Sequence, residues 1–427
     1  MRSLILDNSS DYEKAAFVLD AIGQSNIFAD LSGVYHFGEE WRLLHDEEFQ
    51  NLVAIQMSEV SLRASRALVL NICANIRSII FNRKSLFSPL HRDSVGMSNG
   101  DLILTSNGTW KLEQKKAENK ILVRIPHEWD PNANAPLFSE FLDSIFEGDD
   151  DAVDKANLVL ELLGYAMQTH CDFETFAVLV GNGANGKSVL LKTFAYILGE
   201  ENVSAVQPSQ LFHSFHRATL QNKLANIVSE SEQNEKLPAA QVKAIVSGEA
   251  MSVDKKYAQP FTMKPFSTIF WATNHLPSAQ DYSGALFRRA RVIEFNNSFD
   301  SANRDVNLFK KLQDEASGII RMALSQYAVA VAKNAISTPD SVAASTRRWM
   351  TESDSVATWV EYCIERVLMN DERSKDCYDH YYAWCRENGH IRPVTHTMFG
   401  KRLDALGLKR HRTSKGIFYR DLRLLVE

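Results

Sequence analysis

The residues with the plainest chemical capacity lie between positions 176 and 188. An apolar run, Phe176-Ala-Val-Leu-Val180, passes directly into Gly181-Asn182-Gly183-Ala184-Asn185-Gly186-Lys187-Ser188, and an apolar segment follows as far as Gly199. Read as strand, loop and helix, this is G-x-x-x-x-G-K-S in the context that the pattern requires. Glycines let successive backbone N–H groups curl around phosphate oxygens, and the helix N-terminus adds its positive end. Lys187 suits the β- and γ-phosphates, and the Ser188 hydroxyl suits Mg²⁺. The same letters also spell G-x-G-x-x-G, a dinucleotide pattern. That reading wants an acid ~20 residues on, at the end of the next strand. None stands around Val203–Gln207, and the Lys-Ser pair is unexplained by it. ATP with Mg²⁺ is the expected ligand.

Hydrolysis needs more: an acid for the metal, a group that polarises water, a γ-phosphate sensor and an arginine for transition-state charge. Leu224-Ala-Asn-Ile-Val-Ser-Glu230-Ser-Glu232 supplies a strand with two carboxylates just past its end. Sites in open α/β sheets lie at the carboxyl ends of strands, which would turn these acids toward the loop. Glu230 is the first choice as metal ligand, although either acid suits the metal or the water. Phe266-Ser-Thr-Ile-Phe-Trp-Ala-Thr-Asn274 is an apolar strand that stops at an amide before Leu-Pro277, so Asn274 is either the sensor or a turn former. Phe287-Arg288-Arg289-Ala-Arg291 opens another strand. These arginines either reach a neighbouring subunit's site or form a solvated strand entrance.

Together these motifs resemble a superfamily 3 helicase. Val246-Ser-Gly-Glu-Ala-Met-Ser-Val-Asp-Lys-Lys-Tyr257, Thr273-Asn-His-Leu-Pro277 and Ser283-Gly-Ala-Leu-Phe-Arg-Arg289 resemble its phage/plasmid primase-helicase branch, kin to the poxvirus primase-helicase. The resemblance is specific over about 135–350 and looser elsewhere. It implies an AAA+-like parallel-sheet core and a ring, commonly a hexamer, that translocates 3′→5′ on single-stranded DNA. Lys187 and Ser188 then take the phosphate and Mg²⁺ roles, Glu230 and Glu232 the acidic pair, Asn274 the sensor and Arg289, with Arg288 second, the arginine finger. In the resemblance a hairpin between the acid strand and the sensor strand enters the ring's channel. Here that segment holds Lys243, Lys255, Lys256, Tyr257 and Lys264. Cations on the backbone and an aromatic against a base give sequence-tolerant grip on one strand.

These residues need elements to hold them. Helix Ala156–Met167, strand Phe176–Val180, helix Ser188–Leu198 and strands Leu224–Val228, Ser267–Thr273 and Arg291–Phe295 are expected, followed by helical spacing over Val306–Asn334. Apolar strands separated by helices argue for an α/β fold with a parallel sheet covered on both faces. Before them, 1–134 reads as mixed α/β, with a hairpin at Gly33–Leu44 and helix over Asp46–Phe81; the resemblance makes it an oligomerisation domain. The acidic stretch Glu147–Asp154 reads as a solvated loop ending in helix-capping acids. After the core, 351–427 reads as helix, helix and basic hairpin, a winged-helix pattern. From Arg392 on, nine Lys/Arg face three acids, with Lys409, Arg410 and Arg412 leading the hairpin. Cys377, His380, Cys385 and His390 have knuckle-like spacing, but a continuous helix would spread them over more than two turns, so the cysteines read as core.

Composition sets the outer bounds. The chain has 427 residues, 45% apolar and 23% charged, with net charge −6, which disfavours a uniformly basic coat for nucleic acid but allows a local patch. Five scattered cysteines fit a reducing compartment such as a host cytoplasm. The first residues lack a signal-peptide core, and no apolar run approaches ~18 residues. No paired-Asp strand is visible in the first 130 residues, so a primase or polymerase is expected in trans. The functional expectation is an ATP-driven DNA helicase on single-stranded and forked DNA. The competing reading is an origin-binding ATPase that assembles without processive unwinding.

Overall fold

A computed structural model describes residues 9–425 except 31, 83–87, 231–235, 255, 257–259, 280–283, 300–304 and 389–392. Its centre is a five-stranded parallel sheet: β1 Phe176–Val180, β2 Val203–Ser204, β3 Ala225–Val228, β4 Thr268–Thr273 and β5 Ala290–Glu294, in the order β5-β1-β4-β3-β2. The register sets Ala177 against Phe270 and Arg291, and Phe270 against Ile227. All of β3 and β4 is buried, as an apolar strand must be when both faces are covered.

Alternate residues feed two cores. Ala177, Leu179, Ile227, Phe270 and Ile293 pack under helices α1 Pro136–Ile145, α2 Ala152–Ala166, α3 Lys187–Leu198 and α4 Ala316–Lys333. Phe176, Val178, Val228, Trp271 and Val292 face the helix Ala239–Val246, the hairpin Met251–Val253/Phe261–Met263 and α5 Asp340–Ser353, whose Trp349 is buried. Every strand expected from the sequence is present within a residue or two. The edge strand β2 was not among them, because its two residues carry no apolar pattern. A buried amide on its neighbour holds it instead: Asn226 Oδ1 accepts from Ser204 Oγ (2.9 Å) and Val206 N (2.8 Å).

Packing crosses the expected boundary at residue 134. Val95, Met97, Leu102, Val123 and Ile125, from a four-stranded sheet within 94–125, share the core of α1–α4. A separate core runs from Ala15 to Ile76, under a three-stranded antiparallel sheet that contains the expected hairpin. The helical stretch 46–81 is two helices, Asp46–Glu59 and Arg66–Ile80, parted where Ser61 takes φ +62° and Ser65 caps the second. At the other end, Trp349 belongs to the sheet core, whereas Val356 begins a distinct core with Trp359, Cys377, Tyr381, Cys385 and Phe399.

One smaller expectation changes and another is met. The acids of 147–154 are engaged rather than merely solvated. Asp149 accepts from the buried Lys155 at 2.5 Å, and Asp151 accepts from Ser341 N in the first turn of α5 (2.9 Å). In the C-terminal core Cys377 and Cys385 are fully buried and His380 Nδ1 accepts from Trp359 Nε1 at 3.1 Å, while His390 lies outside the described residues. No helix among the described residues is long and apolar enough to cross a membrane.

Candidate functional site

The loop between β1 and α3 is built from its glycines outward. Gly186 holds the left-handed conformation (φ +87°), and a Cβ there would come within 2.6 Å of Ile145 Cγ2. Gly181 lies so close to the Asn185 amide that a Cβ would meet Nδ2 at 2.2 Å. Lys187 closes the loop, its Nζ donating to Gly181 O at 2.6 Å and to Asn185 Oδ1 at 3.0 Å. Burial draws the Lys187 amine below its ordinary pKa. No side chain caps α3, so its first N–H groups are left to another acceptor. Asn185 Nδ2 is likewise buried without a partner.

A cavity of about 440 Å³ opens at this loop. Gly183, Ala184, Asn185, Gly186, Lys187 and Ser188 form its floor, and Glu230 and Asn274 join it from the carboxyl ends of β3 and β4. Strand order explains the meeting: β4 is hydrogen-bonded to both β1 and β3, so all three strands end side by side. Glu230 and Asn274 are exposed to the cavity, and Thr273 beneath Asn274 is buried, bonded through Oγ1 to the backbone of His275. Glu232 lies outside the described residues. Gly181 and Asn182 shape the loop without lining the cavity.

Sequence reasoning missed the apolar side of this cavity. Phe141 of α1, Phe299 and Leu308 line it, and Phe299 N donates to Ala184 O at 2.8 Å, laying the chain after β5 along the loop. No periodic signal marks Phe299, which lies in an irregular connection.

Arg288 and Arg289 are not brought to the cavity. They precede β5, whose Ala290 pairs with Phe176 at the start of β1, whereas the loop follows Val180. At about 3.3 Å per residue, the separation is roughly 15–20 Å. Arg289 is mostly buried, donating to Ala285 O (2.9 Å) and paired with Glu174, while Arg288 is exposed. A larger cavity of about 830 Å³, lined partly by Glu174, lies at this opposite end of the sheet, remote from the loop.

On the candidate nucleic-acid surfaces, Lys256 and Lys264 are exposed on and beside the hairpin, and Lys255 and Tyr257 lie outside the described residues. The connection from β2 to β3 adds two aromatics that the sequence reading passed over. Phe212 and Phe215 are about half exposed, and Ser214 Oγ donates to Asp254 at the hairpin root. The signal was available: two aromatics three apart among His213, His216 and Arg217, with no amphipathic period. In the C-terminal unit the basic hairpin forms as Arg410–Thr413 and Gly416–Tyr419, with Glu372–Arg373 as a third strand. Part of its charge is answered internally, since Arg410 pairs with Asp404 at 2.9 Å, Arg402 with Asp354 and Arg423 with Glu365 at 2.6 Å. Lys409, Arg412 and Lys415 remain exposed.

Residues 179–289 match the model of a family of unknown function, DUF5906, and residues 351–420 match the model described as Poxvirus D5 protein-like. A curated relative, "Putative helicase L207/L206" of Acanthamoeba polyphaga mimivirus, is 26% identical over 160 residues, which is 36% of this chain and only 17% of the relative. Among solved structures, the A-form apo structure of the NrS-1 C-terminal region superposes with a TM-score of 0.52 at 13% identity, covering 96% of this chain and 98% of that one. At that identity the likeness is one of fold.

Proposed function

We propose that this chain is a D5-like primase-helicase relative and acts as an ATP-driven DNA helicase in replication, a reading supported by the match over residues 351–420 and by the mimivirus helicase relative. The observation that carries the reading is the convergence of three strand ends on one cavity: the loop with Lys187 and Ser188, Glu230 and Asn274. The strand order β5-β1-β4-β3-β2, with the loop after the middle-left strand β1, supports an AAA+-like core. An uncapped helix start, an unpartnered Asn185 amide and a Lys187 cation fit a polyphosphate.

In this proposal the loop N–H groups and Lys187 hold the β- and γ-phosphates of ATP, and Phe141, Phe299 and Leu308 give its base an apolar wall. Ser188 and Glu230 would hold Mg²⁺, which supplies charge neutralisation between the phosphate oxygens when bound. Glu230 or Glu232 orients and deprotonates the attacking water, and Asn274 donates its amide to that water or to the γ-phosphate. Among the described residues no arginine lines the cavity, so in this proposal transition-state charge is met by a neighbouring copy. Arg288 is the better placed of the pair because it is exposed, while Arg289 holds the strand entrance through Glu174. A closed ring, a hexamer in this reading, places the hairpin with Lys255, Lys256, Tyr257 and Lys264 on single-stranded DNA, with Phe212 and Phe215 beside it as stacking surfaces. The C-terminal unit acts as a winged helix that meets the duplex through Lys409, Arg410 and Arg412.

The test is ATPase and strand displacement on duplexes with 3′ or 5′ tails, with mass measured with and without nucleotide. DNA-stimulated hydrolysis with displacement from the 3′-tailed substrate is expected. Hydrolysis and assembly without displacement would make the protein an initiator instead, and absence of hydrolysis would remove the motor reading.

A further inference from the structure

The turn joining strands Ile364–Arg366 and Glu372–Arg373 puts Leu368 and Met369 into solvent, 85% and 98% exposed. Single exposed aliphatic residues are ordinary. Two in succession at a turn are not, because turns select Gly, Asn, Asp and Ser. This turn is also firmly held. Val367 N donates to Asp421 O (3.1 Å), Asn370 N to Val367 O (3.2 Å) and Leu422 N to Asn370 O (2.9 Å). Met369 N donates to Asp421 Oδ1 (3.0 Å), and Asn370 Nδ2 to Leu422 O (2.7 Å). Met369 and Asp421 both sit at positive φ, +63° and +57°, a conformation that non-glycine residues adopt at a cost. A strained polar clamp therefore fixes an apolar tip in water.

Two arginines lie next in sequence to the turn and its clamp. Arg366 is exposed one residue before the turn, and Arg420, exposed beside Asp421, is tied by its N–H to Lys409 O at 2.8 Å. The four acids of these segments are each engaged: Glu365 by Arg423 at 2.6 Å, Asp371 by His411 at 3.5 Å, Glu372 by Asn370 Nδ2 at 3.3 Å and Asp421 by Met369 N at 3.0 Å.

We propose that Leu368 and Met369 form a wedge that enters a base step of duplex DNA while Arg366, Arg420 and Lys409 hold the flanking phosphates. The inference rests on the DNA reading of the C-terminal unit and adds a site to it. A two-residue convex tip needs a slot, and apolar side chains pressed between base pairs are a known way to unstack and bend a duplex. Cations on the flanks match the phosphates that border such a slot.

The experiment uses the full chain and forked duplexes carrying 2-aminopurine at successive positions. Binding should brighten the probe about twofold or more at one step, and the Leu368→Ser/Met369→Ser variant should lose that signal. Its binding should keep the parent's salt slope, since no phosphate contact is removed. Both side chains lie in solvent, so an unchanged melting temperature shows that the fold is kept. Parent binding without brightening, or equal brightening by the variant, overturns the wedge and leaves the DNA reading standing. Parent protein that fails to bind duplex overturns both. Unchanged brightening with a smaller assembly mass for the variant assigns the tip to a protein contact and also overturns the proposal.

Discussion

Lys187 donates to Gly181 O and Asn185 Oδ1 across its own loop, so replacing it removes two internal ties as well as a cation. Lys187→Ala should therefore weaken nucleotide binding and lower turnover by roughly 10²–10³, the cost of one lost transition-state donor. Equilibrium binding of a fluorescent nucleotide beside steady-state hydrolysis separates the two losses, and parental values for both would remove Lys187 from the site. The two arginines should also separate. Arg288→Ala should cut hydrolysis by ~10³ or more while leaving the melting temperature unchanged, as expected of an exposed finger. Arg289→Ala should lower thermal stability, because it breaks the contacts to Ala285 and Glu174. If only Arg289→Ala silenced hydrolysis, the finger would be Arg289 after release from Glu174. From the sequence the loop residues could be named one by one, because G-x-x-x-x-G-K-S demands a single geometry. The different fates of Arg288 and Arg289 could not, since their contrast depends on Glu174, 115 residues away.

The central strands were readable because burial on both faces leaves continuous apolar runs such as Thr-Ile-Phe-Trp-Ala-Thr, with little to compete as an interpretation. Phe212 and Phe215 were readable as unburied aromatics among basic residues and were passed over, whereas β2 was not readable, since the polar contacts of Asn226 that hold it leave no period behind. The same reasoning explains why Phe299 joined the cavity unannounced. The hairpin Met251–Val253/Phe261–Met263 roots its Val253 and Met263 in the sheet core and leaves Lys256 exposed. Lys256→Ala should therefore keep basal hydrolysis and lose DNA stimulation and unwinding, with the single-strand salt slope falling by about 0.7. Unwinding equal to the parent at moderate salt would move the grip elsewhere. Phe215→Ala should weaken single-strand binding by about 1–3 kcal/mol if that ring stacks on a base.

Across the molecule, the four-stranded sheet is tied to the core by a small polar knot. Tyr327 of α4 donates to Asp93 Oδ1 at 2.5 Å, and His170, on the approach to β1, lies 3.3 Å from the same oxygen. Burial alone would raise the Asp93 pKa, but the hydrogen bonds from His170 and Tyr327 and the charge of Arg92 outweigh it, leaving the net value below the ordinary 3.8. The native chain thus takes up this proton less readily than the unfolded chain. Its stabilising contribution is complete above the unfolded pKa of about 3.9 and is lost as pH falls through the lower folded value. Urea melts of parent and Asp93→Asn between pH 7 and pH 3 should show a gap that narrows at the acid end. A gap independent of pH would mean that Asp93 acts through packing.

The glycine-rich loop and the arginine pair lie at opposite ends of the neighbouring strands β1 and β5. Two copies related by a twofold axis perpendicular to the strands would run antiparallel and could bring the arginine of each to the cavity of the other, whereas a head-to-tail contact offers it in one sense only. In the proposed head-to-tail contact each copy offers its arginine to the next, which leaves any open row with one unserved cavity and one idle arginine. A closed cycle of such contacts would satisfy every member. Hydrolysis per chain should accordingly climb steeply over the concentration range in which the cycle closes, and light scattering should show mass rising over the same range. Activity per chain that is flat from the monomer upward would mean that each cavity is completed within its own chain.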